Sequence, residues 1–166
     1  MSRAEMDYLL DFVIPFAKDQ LEKRGEFYPY AAAVKADGKG EAFMGHPGQE
    51  DPSNRDMVNF LARGLRESAQ SKGYRATAIC FMARTRADGE HQSHDAIGVF
   101  LEHGDGEAVE VYLPYERLED GVYRYLDSVA SGADPTILTH KSSTDRPGIV
   151  SQLRRWLRGG GWLRHR

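Results

Sequence analysis

The sequence predicts an α+β domain in which an antiparallel sheet of about five strands is flanked by helices. Apolar residues recur at helical spacing in two segments, one before Gly25 and one before Gly73. Short apolar runs bounded by turn residues follow each of these segments. Turns that contain glycine separate successive runs, and such turns favour antiparallel pairing. Together these observations predict the element order α-β-β-α-β-β-β.

The first helix is predicted to begin near Ser2 and to end before Gly25. Pro15 should kink it, because proline removes one backbone hydrogen bond. The apolar stripe of this helix comprises Met6, Leu9, Leu10, Val13, Phe16, Ala17 and Leu21. Residues 27–34 and 41–43 are then predicted as two strands joined by a turn at Asp37 and Gly38.

The second helix is predicted to follow a cap at Ser53 or Asn54 and to run to about Ser71. Its apolar stripe comprises Met57, Phe60, Leu61, Leu65 and Ala69. Gly64 lies inside this helix, where glycine costs about 1 kcal/mol relative to alanine. We expect close packing against the sheet to be the reason for a glycine there.

Three strands follow, and the last two form the clearest hairpin of the chain, at residues 95–103 and 107–113. Alternation predicts one face made of Ile97, Val99, Leu101, Val109, Val111 and Leu113. The opposite face is predicted to carry Phe100, Glu102, Glu110 and Tyr112. A short helix is predicted over residues 123–130, and a basic C-terminal helix over residues 147–158.

The element order resembles that of the roadblock and profilin-like group of small domains. The resemblance concerns the order of helices and strands and implies the fold alone, so it assigns no site residue. We divide the chain into an α+β domain, residues 1–135, and a basic extension, residues 136–166.

Charge is divided unequally along the 166 residues, whose formal net charge is −3. Residues 141–166 carry seven basic side chains and one acidic side chain, a net charge of +6, and the preceding residues therefore carry −9. Cys80 is the single cysteine, which excludes an intrachain disulfide and zinc or iron–sulfur sites built from thiolates alone. The N-terminus does not resemble a secretory signal and no apolar run is long enough to span a membrane, so we expect a cytoplasmic protein.

Two groups of residues are candidates for chemistry. His91, His94 and Asp95 could bind a metal ion if a further ligand such as His46, His103 or Glu90 joined them. The alternative is a solvated loop that leads into a strand. Cys80 could be a nucleophile, but a cysteine in an apolar strand is more often a small buried hydrophobe. Phosphate-binding loops and hydrolase motifs are absent, and the sequence predicts no cofactor.

Aromatic residues on the strands indicate a partner-binding surface that includes Tyr28, Tyr30, Phe100 and Tyr112. The alternative is that a helix covers them and they belong to the core. In the C-terminal helix, Ile149, Leu153, Trp156 and Leu157 form an apolar stripe. Arg154, Arg155 and Arg158 flank that stripe, so together with Trp156 they are candidate partner-binding residues.

The basic extension could fold back on the acidic domain, dock on a protein partner, or bind a membrane surface or nucleic acid. The function that the sequence favours is a small interaction module without catalysis, which contacts a protein partner or forms a homodimer. A metal-dependent enzyme centred on His91, His94 and Asp95 is the first alternative. Binding of nucleic acid or membrane through the extension is the second.

Overall fold

The computed structural model describes residues 2–86 and 91–138. It contains two helices, α1 (Ser2–Arg24) and α2 (Asn54–Lys72). Its strands are β1 (Tyr30–Val34), β2 (Gly40–Phe43), β3 (Ala76–Thr85), β4 (His94–His103), β5 (Ala108–Arg117), β6 (Tyr123–Tyr125) and β7 (Val129–Gly132). The predicted helix at residues 147–158 lies outside the described residues, together with Arg154, Arg155, Trp156 and Arg158.

The strands form one antiparallel sheet in the order β2-β1-β3-β4-β5-β6, and β7 pairs with β5 next to β6. The predicted α+β class is therefore confirmed, with seven strands in place of about five. The short helix predicted over residues 123–130 is wrong. This segment instead supplies β6 and part of β7, because pairing with β5 satisfies its backbone and suits the β-forming Tyr-Arg-Tyr sequence.

The N-terminus of α2 is fixed by a capping box. The Ser53 hydroxyl accepts a hydrogen bond from the Asp56 backbone N–H, and the Asp56 carboxylate accepts one from the Ser53 backbone N–H. At the other end Gly73 adopts a left-handed conformation with φ of 63° and donates its N–H to the Ala69 carbonyl. The predicted start and end of this helix are both confirmed.

Each helix covers a different face of the sheet. α1 packs against β1, β3 and β4, and its buried side chains join one face of the sheet in the larger core. α2 packs against β1 and β3 on the opposite face, where a smaller core forms. We call these the α1 face and the α2 face. Neither of the two described helices combines the length and the hydropathy of a membrane-spanning segment.

The β4–β5 hairpin has the faces that alternation predicts. Ile97 lies opposite Leu113, Val99 opposite Val111 and Leu101 opposite Val109, and all six side chains belong to the core on the α1 face. Phe100, Glu102, Glu110 and Tyr112 therefore point to the α2 face, since successive residues of a strand alternate between faces.

Candidate interaction surface

Helix α1 presents an aromatic stripe on its outer side. Tyr8, Phe12 and Phe16 follow one another at intervals of four residues and expose 44%, 41% and 40% of their surface. The sequence predicts Phe16 as a core residue, and this is only half right, because its ring packs edge-on against Tyr30 at 4.9 Å between centroids while its outer side remains exposed. Three large rings on one helix face are an unusual surface for a monomer.

The aromatic stripe lies beside the open edge of the sheet. A Cβ atom added to Gly40 of β2 would lie 2.5 Å from the Tyr8 hydroxyl oxygen, so glycine is what allows this ring to approach the strand. Strand β2 is the first strand of the sheet order, and no other strand of the described residues pairs with its outer side. The stripe therefore adjoins a row of backbone groups on β2 to which no strand of residues 2–86 or 91–138 is paired.

A groove continues this surface between the C-terminal half of α1 and two loops. Its volume is about 270 Å³, and residues 26–30 and 44–46 form its walls together with α1 and Met57 of α2. Tyr28 and Met44 stand at the groove with 65% and 61% of their surface exposed. We call Tyr8, Phe12, Phe16, Tyr28 and Met44 the α1 surface. Arg24 and Glu26 also line the groove, so it carries one positive and one negative side chain.

The two aromatic residues that the sequence proposes at β1 have different environments. Tyr28 is exposed, as a partner-binding residue needs to be. Tyr30 is 5% exposed and its hydroxyl donates a hydrogen bond to the Val13 carbonyl of α1. Burial raises the pKa of Tyr30 far above its ordinary value. The Tyr30 side chain is therefore a core contact that holds α1 to the sheet.

Phe100 and Tyr112 lie on the α2 face and are half-buried. Phe100 packs against the smaller core. The Tyr112 ring meets Phe81 of β3 edge-on at 6.5 Å between centroids, and its hydroxyl donates to the Glu110 carboxylate at 3.1 Å. Burial, followed by the charge of Glu110, raises the pKa of Tyr112. These rings lie on the opposite side of the sheet from the α1 surface, so the structure does not join the four predicted aromatics into one surface.

The three candidate metal ligands are not brought together. His94 and Asp95 are successive residues of β4, so their side chains point to opposite faces. His94 faces Glu116 with 3.5 Å between Nδ1 and Oε1, whereas Asp95 faces Arg84 with 3.2 Å between Oδ1 and Nε. His91 is exposed in the preceding turn, and His103 lies at the far end of β4. Among the described residues no three His, Cys, Asp or Glu side chains are placed to hold a metal ion.

Cys80 is enclosed in the core on the α1 face, with no exposed surface. Burial raises the pKa of its thiol to about 12, and a hydrogen bond with Tyr30 offsets only part of this effect. A nucleophilic cysteine needs the reverse, namely a lowered pKa and access to substrate. The environment is therefore that of a structural cysteine.

A charged cluster joins the N-terminal half of α1 to the sheet. The Glu5 carboxylate binds His103 at 2.5 Å between Oε2 and Nε2, and its other oxygen pairs with Arg75. The second ring nitrogen of His103 faces Asp105, with 2.9 Å between Nδ1 and Oδ1. Glu5 and His103 are largely buried, with side-chain exposures of 14% and 12%. Sequence reasoning missed this cluster, because Glu5 lies in α1, His103 in β4, and Arg75 and Asp105 in the segments just before β3 and just after β4.

Glu102 carries the most unusual carboxylate of the described residues. It has no exposed surface, and its two oxygens accept hydrogen bonds from the backbone N–H groups of Thr136, Ile137 and Leu138 at 2.8, 2.8 and 2.6 Å. Successive N–H groups that converge on one anion form a nest, which stabilises a buried negative charge. Ile137 and Leu138 are themselves buried in the core on the α2 face. We call residues 135–138 the anchor segment.

Comparison with protein families, curated proteins and solved structures finds no match to this chain. The functional interpretation therefore depends on the surfaces themselves. The sequence contains one signal from which the α1 surface could be predicted. Tyr8 and Phe12 precede Phe16 at intervals of four residues, so these three residues form a second apolar row at helical spacing, which shares Phe16 with the predicted core stripe.

Proposed function

We propose that this chain is a cytoplasmic interaction domain that acts without catalysis and forms a homodimer through the α1 surface. The observation that carries the proposal is the exposed aromatic stripe of α1 beside the open edge strand β2. Aromatic side chains and methionine are enriched at the centres of protein interfaces, whereas monomers rarely expose them as a continuous patch.

The exposed area of the α1 surface is of the right order for a dimer. Its five side chains are 40–65% exposed, and large side chains of this kind have about 150–250 Å² each to bury. Together they expose roughly 400–500 Å² of side-chain surface. An interface of standard size buries about 800 Å² on each partner. Neighbouring polar atoms and the edge of β2 can supply the remainder.

A second copy of the chain is the occupant that suits this surface, because the surface can complement itself. A two-fold axis beside β2 would pair this strand antiparallel with its copy and place the two α1 stripes against each other. The same axis would let Arg24 of each subunit approach Glu26 of the other, since both residues line one groove. With only four residues, β2 adds few backbone hydrogen bonds, so the aromatic rings would carry most of the binding.

The test is the mass of the protein in solution, measured by sedimentation equilibrium over a range of concentrations. The wild-type chain should sediment at twice its 18.7 kDa. Phe12→Glu places a charge at the centre of the stripe and should weaken dimerisation at least 100-fold, because the buried charge would have no partner.

The matched control is Val122→Lys, which charges an exposed apolar residue in the turn between β5 and β6, with 54% of its surface exposed. This variant should keep the wild-type dissociation constant. A wild-type protein that remains monomeric at high concentration would refute the dimer. Equal weakening by Phe12→Glu and Val122→Lys would place the interface elsewhere.

A further inference from the structure

The α2 face of the sheet is only partly covered by the described residues. Helix α2 packs on β1 and β3, and no helix of residues 2–86 or 91–138 packs on the part formed by β4, β5 and β7. One cross-strand row of this part runs from Phe81 through Gly98 and Tyr112 to Val129, since each of these residues lies directly opposite the next. We call this strip, with the adjacent Phe100, the row face.

The row face is apolar and incompletely buried. Phe81, Phe100 and Tyr112 are half-buried, and Val129 exposes 43% of its surface. Gly98 has no side chain, and the Phe81 ring lies over it, because a Cβ atom there would be 2.6 Å from Phe81 Cε2. The strip is thus a shallow apolar surface with rings on either side of a glycine, which is a shape that a helix can cover.

The described chain ends beside this surface. The Glu102 nest fixes the anchor segment on the α2 face, and the Thr136 carbonyl accepts a further hydrogen bond from Arg66 Nε of α2 at 2.7 Å. Glu102 and Gly98 are four residues apart on β4, which corresponds to about 13 Å. The last described residue, Leu138, therefore lies on the same face as the row and within a short distance of it.

From these observations we propose that residues 139–166 cover the row face of their own chain, with Trp156 against Tyr112 and Val129. These residues lie outside the described part of the structure, and their sequence suits the surface. Residues 139–146 can reach over about 27 Å when extended, and a twelve-residue helix at 147–158 would be about 18 Å long. Four strands of the row span about 14 Å.

Charge complementarity favours this occupant over an unrelated protein. Residues 139–166 carry a net charge of +6, whereas the rest of the chain carries −9. On the row face Glu110 lies directly opposite Phe100, beside the apolar strip. The stripe of Ile149, Leu153, Trp156 and Leu157 would meet the rings, and its flanking arginines would approach Glu110. This proposal concerns the other face of the sheet and does not rest on the dimer.

Tryptophan fluorescence tests the proposal, because both tryptophans of the chain, Trp156 and Trp162, lie in residues 139–166. A full-length Trp162→Phe variant isolates Trp156. We expect emission at shorter wavelength than that of free tryptophan in water, and at least threefold weaker quenching by acrylamide. Both properties should persist on dilution below the dissociation constant of any dimer.

A charge on the row face should release Trp156. In the Trp162→Phe background, Tyr112→Lys or Val129→Lys should move the emission to longer wavelength and raise acrylamide quenching towards that of free tryptophan. Val129 is already 43% exposed, so this variant should keep its fold even if Tyr112→Lys does not. Val122→Lys is the matched control and should change nothing. Far-ultraviolet circular dichroism confirms that each variant is folded.

Three results would overturn the proposal. In the Trp162→Phe variant, acrylamide could quench Trp156 as strongly as it quenches free tryptophan, which would mean that Trp156 does not cover the row face. Its emission could be unaffected by Val129→Lys, which would place Trp156 elsewhere. Its protection could disappear on dilution, which would mean that it docks on a second copy. None of these results alters the expected effect of Phe12→Glu on mass, so failure of this proposal is distinguishable from failure of the dimer.

Discussion

At the scale of single residues, close contact between an aromatic ring and the backbone explains why glycine occupies three positions. An aromatic ring packs directly against the backbone of three glycines, Gly40, Gly64 and Gly98. The rings are those of Tyr8, Phe43 and Phe81, respectively. None of these three glycines has a positive φ value, so the space that a ring occupies, rather than backbone conformation, accounts for the glycine. The expectation of close packing at Gly64 is thereby confirmed.

Gly64→Ala separates packing from helix propensity. Alanine is favoured over glycine inside a helix by about 1 kcal/mol, but the new Cβ would lie 2.5 Å from Phe43 Cζ and force the ring to move. We expect a net loss of about 1–2 kcal/mol in the free energy of unfolding, measured by urea titration. In a Phe43→Ala background the same substitution should stabilise. Stabilisation by Gly64→Ala in the wild-type chain would show that Phe43 moves aside at no cost.

At the scale of elements, side chains that reach between distant segments hold the fold together. Glu5 attaches α1 to the ends of β3 and β4, and Tyr30 attaches the middle of α1 to β1. Glu102 attaches the anchor segment to β4, 34–36 residues away along the chain. Each attachment gives a buried polar group a hydrogen-bond or ion-pair partner on a distant segment, so its loss should destabilise the whole element.

Glu102→Gln tests the attachment of the anchor segment. The amide keeps the shape of the side chain but replaces one accepting oxygen by an NH₂ group, which would face a backbone N–H. We expect a loss of about 3 kcal/mol in the free energy of unfolding and faster amide exchange at residues 136–138. Glu110→Gln, two residues from Tyr112 on the same face, is the matched control and should cost less than about 1 kcal/mol. Equal losses would argue against a special role for the nest.

At the scale of the whole molecule, the separation of charge sets the long-range forces between copies. The net charge of −3 is the sum of an acidic body and a basic extension. Two bodies without their extensions would each carry −9, and the repulsion between them would be about ninefold greater than between two full chains, since it scales with the product of the charges. The extension therefore lowers the electrostatic cost of bringing two copies together.

A chain truncated after Leu138 should show this repulsion. At an ionic strength of roughly 0.01 M, where screening acts over about 30 Å, it should dimerise at least tenfold more weakly than the full chain in sedimentation experiments. In roughly 1 M salt the two dissociation constants should converge. Adding Phe12→Glu to the truncated chain should abolish association at either salt concentration. A deficit that persists in high salt would instead mean that residues 139–166 contact the partner directly.

Features that depend on local periodicity could be predicted from the order of residues alone. These include the α+β class, the two faces of the β4–β5 hairpin and the caps of α2 at Ser53 and Gly73. Each follows from residues within a few positions of one another, whose spacing matches the repeat of a helix or a strand.

The exposure of each surface and the contacts between distant groups could be seen only in the folded chain. Periodicity could not show that Tyr30 is buried whereas Tyr28 is exposed, that the segment after residue 122 pairs with β5, or that Glu102 binds the backbone of residues 136–138. These outcomes depend on contacts between segments that are far apart in sequence, and strand pairing and burial are set by such neighbours rather than by local preference.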